Sequence, residues 1–107
     1  MIEIENETDL VINEVFLKEI ANSLTNKDIE LIITTDDEIQ SINKQHRGID
    51  KSTDVLSFPY EEMPMTPLGS IVISKDHIEQ KAKELNHSLD DELYLLFIHG
   101  LLHLLGY

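Results

Sequence analysis

The sequence predicts a single α+β domain, a mixed sheet of about four strands packed against helices, with a central C-terminal helix that carries histidines. Three observations predict it. Short β-rich runs alternate with longer runs of helical periodicity in the order βαβαββαα. A length of 107 residues, 41% of them hydrophobic, is enough for one core and too little for a second domain. The last run, Leu93 to Leu105, is apolar almost all round, the pattern of a helix enclosed by other elements.

The elements follow in order. Ile2 and Ile4 alternate with Glu3 and Glu5, which marks a first strand with one buried face. From Asp9 to about Leu24, Val11, Val15, Ile20 and Leu24 recur at roughly helical spacing, with Thr8 or Asp9 as N-cap. The turn Asn26-Lys27-Asp28 leads into a strand through Ile29, Leu31, Ile32 and Ile33. Thr35 or Asp36 caps a second helix running to about His46, with Glu38 as capping-box partner of Thr35 and Gly48 as terminator. Val55 to Phe58, closed by Pro59, forms the third strand. Two prolines and two methionines between Glu61 and Pro67 predict an exposed, mobile loop. Leu68 to Ser74 is the fourth strand, and Lys75 to Asn86 a polar helix with Ile78, Ala82 and Leu85 on its inner face. Ser88 and Asp91 form a capping box for the final helix, whose dipole Asp90, Asp91 and Glu92 complement.

Composition narrows the function. The acidic N-terminus has neither the basic nor the apolar region of a signal peptide, and Leu93 to Leu105 is too short to span a bilayer, so a cytoplasmic protein without membrane contact is expected. There is no cysteine, so a zinc site must use His and carboxylate. A formal charge of -13 weighs against nucleic acid as a default partner, because phosphates are neutralised by Lys and Arg; DNA is not expected. An RNA substrate needs a local basic island. Lys44, Arg47 and Lys51 supply one, and Arg47 is the only arginine in the chain. The plain alternative is a solvated surface patch.

His99 and His103 are four apart in Leu-Phe-Ile-His-Gly-Leu-Leu-His-Leu-Leu-Gly, so on a helix they project from one face and can share an ion. In so apolar a run an unpartnered buried imidazole costs about 1 to 3 kcal/mol, and Gly100 in mid-helix about 1 kcal/mol more relative to Ala. The alternative is a pair of core histidines bonded to backbone carbonyls. His99, His103 and Gly106 match the metzincin spacing H-E-x-x-H-x-x-G-x-x-H, in which Gly ends the helix and lets a third His return to the metal. Gly100 stands where that pattern has its general-base Glu, which disfavours peptide hydrolysis. The third-histidine position falls two residues beyond Tyr107. Either the chain is cut short there, or His87, His77 or a carboxylate completes the site.

The run from Asn43 through His46-Arg47-Gly48 to Ser52-Thr53-Asp54-Val55-Leu56-Ser57-Phe58-Pro59, together with Leu68-Gly69-Ser70-Ile71 and His99-Gly-Leu-Leu-His103-Leu-Leu-Gly-Tyr107, resembles the YbeY family of bacterial endoribonucleases. The resemblance covers essentially the whole chain, with its motifs in the expected order. It implies a zinc-dependent, single-strand-specific endoribonuclease acting in rRNA maturation at the 3′ end of 16S rRNA and in ribosome quality control. It further implies one Zn2+ held by His99 and His103, Arg47 as the essential arginine, and the ribosomal small subunit with its proteins as partners. Lys44 and Lys51 are expected to contact substrate, and Asp54 to bond Arg47 or support the site from behind. Three departures stand out. The family's Asp-His after Tyr107 is missing, so residues 1–107 read as one YbeY-like metallohydrolase domain truncated just before the third metal ligand; Ser70 replaces the Asp of its G-D-I run; and His46 stands where an aromatic is usual. The competing readings are a metal-dependent hydrolase of another substrate, its pocket shaped by the 61–67 loop, and a non-catalytic ribosome-associated module.

Overall fold

Strands whose residues alternate in exposure can be covered on either face, and here both faces of the sheet are used. The computed structural model describes residues 2–60 and 67–107; the loop expected between Glu61 and Pro67 lies, apart from Pro67, outside the described residues. The elements are β1 (Ile2–Asn6), α1 (Glu14–Leu24), β2 (Ile29–Thr34), α2 (Asp36–Arg47), β3 (Val55–Pro59), β4 (Gly69–Ser74), α3 (Lys75–Leu85) and α4 (Leu89–Leu104). This is the expected α+β order. The strands form one sheet in the order β1-β2-β4-β3, with β1, β2 and β4 parallel and β3 antiparallel to β4 at the edge.

Register explains the two cores. Leu31 lies beside Ile71 and Ile33 beside Ile73, and this face joins Leu17 and Ala21 of α1, Ile78 of α3, and Leu93, Phe97 and Leu101 of α4 in the main core. The opposite face carries Val72 beside Leu56, against which α2 packs Ile39. β4 is buried at all six positions because helices cover it on both sides. At its start Gly69 is required by close approach. A Cβ there would stand 2.5 Å from the Phe58 carbonyl oxygen and 2.8 Å from Leu104 Cδ2. Gly69→Ala is therefore expected to destabilise the fold by about 3 kcal/mol, the upper end for overpacking, read as a lower denaturation midpoint at unchanged slope.

Most caps fall where the sequence places them. Thr35 Oγ1 accepts from the Glu38 amide, Gly48 closes α2 at φ 70°, and Ser88 Oγ accepts from the Asp91 amide. Helix one is the exception: it begins at Glu14 behind Asn13, not at Asp9. Asn6 and Thr8 spend their side chains on a local turn, in which Asn6 Oδ1 accepts from the Thr8 amide, Thr8 Oγ1 accepts from the Leu10 amide, and Asn6 Nδ2 donates to the Leu10 carbonyl. Asp9 pairs with Lys75, which holds its carboxyl below the usual range. The inward face also differs from the one expected: Leu17 and Ala21 are buried, Val11 precedes the helix, and Val11, Val15 and Leu24, expected inward, are exposed, as is Leu85 of α3.

Candidate active site

The site is assembled from the ends of two helices and the edge strand between them. α4 crosses the β3–β4 side of the main-core face, and Gly100 is what lets it come close. A Cβ on Gly100 would lie 2.9 Å from Ile71 Cγ2, 3.1 Å from Ser57 Oγ and 3.3 Å from Val55 Cγ2. Ser57 Oγ donates to the Gly100 carbonyl at 3.2 Å across this contact. Gly100→Ala gains about 1 kcal/mol of helix propensity but must displace the fully buried Ile71. A net loss of about 1 kcal/mol is expected on denaturation; a stabilised variant would contradict the close packing.

With Gly100 turned to the sheet, His99 and His103 lie to one side of that contact, along the edge strand, and both are exposed. This corrects the expectation of imidazoles buried in an apolar run. No desolvation cost attaches to them, and the glycine serves packing. The two rings line one cavity of about 310 Å³ together with Val55, Leu56, Ser57 and Arg47. After His103, α4 ends in a left-handed turn at Gly106, φ 93°, with the Gly106 amide donating to the His103 carbonyl and the Tyr107 amide to the Leu102 carbonyl. These are the two bonds of a Schellman motif, and they redirect the backbone directly behind His103.

Arg47 arrives from the opposite face of the sheet. Asn43 Nδ2 donates to the Lys51 carbonyl at 2.9 Å, and Gln40 Nε2 donates to Asp50 at 3.0 Å, so the loop after α2 is tied back onto its own helix. The His46 ring rests on Phe58 of β3 with centroids 5.2 Å apart, which pins the last turn of α2 beside the cavity. Among the described residues Arg47 makes no ion pair, so its guanidinium is available to an anion. The remaining island is not in the wall. Lys44 is exposed and reaches Asp50 at 3.8 Å, and Lys51 is exposed on the tethered loop. Asp54 does not bond Arg47; its Oδ1 accepts from the Val55 amide at 2.8 Å and from Thr53 Oγ1. It holds the backbone of Val55, a wall residue of the cavity, at the start of β3.

Two imidazoles one turn apart on an open helix face suit a divalent metal. Among the described residues no set of three or more His, Cys, Asp or Glu side chains converges on one ion. His77 and His87 do not complete the pair. His77 Nδ1 bonds Asp36 at 2.6 Å, and His87 Nε2 bonds the buried Glu92 at 2.9 Å near the start of α4, the far end of the helix from His103.

The match to known proteins decides the family. The family model described as endoribonuclease YbeY matches residues 2–107. This chain belongs to the YbeY endoribonuclease family. It is 62% identical to the YbeY endoribonuclease of Sulfurimonas denitrificans and 59% identical to that of Aliarcobacter butzleri, spanning all of this chain and 77% and 78% of theirs. The solution structure of TM1509 from Thermotoga maritima has the same fold, with a TM-score of 0.69 and 33% identity over all of this chain and 73% of that one. Within the YbeY fold Ser70, where the resemblance led to the expectation of an Asp, lies on the face away from α4, where it bonds Glu30 at 3.1 Å and Tyr60 at 2.5 Å. Its substitution removes no carboxylate from the histidine cavity. Ser57 is the wall residue that sequence reading did not single out; the one signal for it was a hydroxyl in an otherwise apolar strand.

Proposed function

We propose that the cavity between α4 and α2 is the catalytic centre of a zinc-dependent, single-strand-specific endoribonuclease that matures the 3′ end of 16S rRNA and acts in ribosome quality control. The observation that carries this reading is the convergence on one open cavity of His99, His103 and Arg47, the last without an ion pair among the described residues. His99 and His103 hold the zinc, on the last turns of a helix that Gly106 ends with the metzincin spacing. Zinc bound there supplies Lewis-acid polarisation of a phosphoryl oxygen or activation of water. Arg47 grips the scissile phosphate with its planar fork and stabilises the charge that develops in the transition state. A guanidinium without an ion pair among the described residues, set in a mostly acidic chain, favours binding of the RNA at this cleft. Lys44 and Lys51 guide the strand from outside the wall, and the acidic remainder suits docking to basic proteins of the small subunit in the cytoplasm.

Cells relying on a chain with Arg47→Ala are expected to accumulate 16S rRNA precursors extended at the 3′ end. Normal processing in that strain would refute the assignment. Among the described residues no helix is long and apolar enough to cross a membrane.

A further inference from the structure

β3 borders β4 on one side and, among the described residues, has no strand on the other. In an antiparallel ladder alternate residues turn both N–H and C=O toward the neighbouring strand, and the residues between them turn both outward. Two hydrogen bonds fix which are which. The Tyr60 amide donates to the Leu68 carbonyl at 3.2 Å and the Ser74 amide to the Asp54 carbonyl at 2.9 Å, in the same register that pairs Val55 with Ile73 and Ser57 with Ile71. Even-numbered residues of β3 therefore face β4, while Val55, Ser57 and Pro59 present their backbone to the free edge. Two further observations agree. Pro59, which has no N–H to give, sits at an outward position, and the outward Val55 amide is taken by Asp54 Oδ1. The Ser57 amide is left as the outward donor of the strand, with no acceptor among the described residues, while its hydroxyl is turned to Gly100.

The cavity wraps this edge. α4 brings His99 and His103 from one face of β3, α2 brings Arg47 from the other, and Val55, Leu56 and Ser57 lie between them. A backbone N–H and a guanidinium sharing one cavity, both donors and one of them cationic, recognise an anion. We propose that the Ser57 main-chain N–H is a substrate-binding donor that holds a non-bridging phosphate oxygen of a single RNA strand together with Arg47. The inference rests on the RNA-cleaving reading above. It adds a fixed donor that a flexible side chain does not provide, because the strand ladder holds the amide in place before substrate arrives. A main-chain contact to phosphate carries no base preference, so this donor positions the strand without selecting its sequence.

The test is amide NMR on the full chain, titrated with a short single-stranded oligoribonucleotide in EDTA so that the strand stays intact. The Ser57 amide signal is expected to shift and to saturate together with the Arg47 side-chain N–H. An unmoved Ser57 amide overturns the proposal whether or not Arg47 shifts; the RNA-cleaving reading is tested separately, by the zinc dependence of cleavage. A second measurement compares Ser57→Pro with Ser57→Ala, since both lose the hydroxyl and only proline loses the N–H. Ser57→Pro is expected to bind the oligonucleotide about ten- to a hundredfold more weakly than Ser57→Ala, the worth of one charge-assisted hydrogen bond. Equal affinities overturn the proposal, and if the proline variant does not fold, the titration of the parent chain decides.

Discussion

Arg47→Ala is expected to lower the rate of single-stranded RNA cleavage by about 10²- to 10³-fold, the usual cost of removing one donor aimed at developing charge. The fold should not change. Arg47 is exposed, carries no ion pair among the described residues, and sits in a last turn already held by His46 on Phe58 and by the Asn43 bond to Lys51. Surface substitutions of this kind shift stability by no more than about 0.5 kcal/mol. Arg47→Lys should recover only part of the rate, because an ammonium is a point charge and lacks the two-pronged geometry that matches a phosphate. Single-turnover cleavage under saturating enzyme separates the chemical step from binding. Full activity in Arg47→Ala would remove the residue from the reaction.

His103→Ala is the second large effect. Losing one of two imidazoles is expected to weaken zinc binding by more than about a hundredfold, beyond the 10–100-fold that loss of a supporting partner behind a ligand costs, and to abolish cleavage with it. The exposure of both rings separates this from a packing role. If they were core histidines bonded to carbonyls, truncation would lower stability by a kilocalorie or more; with the rings on the open wall, the denaturation midpoint should stay put while metal affinity collapses. His99→Ala should behave in the same way. A variant that loses stability but keeps its zinc would reverse the assignment.

Local chemistry made much of this architecture readable. Thr35, Gly48 and Ser88 are residues whose side chains or permitted dihedrals end helices without help from the rest of the chain, and they do so here. Helix one was less legible because Asn6, Thr8, Asp9 and Asn13 are all competent caps, and only the turn closed by Asn6 onto Leu10 decides among them. Spacing alone places His99 and His103 on one face, but not which face. That depends on Gly100, whose reason lies in Ile71 and Ser57, far away in sequence and close in space. The same holds for Arg47. Its presence in a basic island was visible, whereas the placing of Lys44 and Lys51 outside the cavity wall follows from which face of α2 carries Lys44 and from the way the loop after α2 folds back on that helix. Asp54, adjacent in sequence to the site, is spent on the Val55 amide, a local bond that proximity in sequence gives no means to distinguish from a functional one.

The central claim is that the histidine pair and Arg47 form one metal-assisted RNA-cleaving cleft, and the most direct measurement is the zinc dependence of single-stranded RNA cleavage by the parent protein. Cleavage should stop in EDTA, return on addition of zinc, and fail to return in His99→Ala or His103→Ala at the same zinc concentration. Cleavage that persists in EDTA, or that zinc restores equally in the histidine variants, would contradict the account.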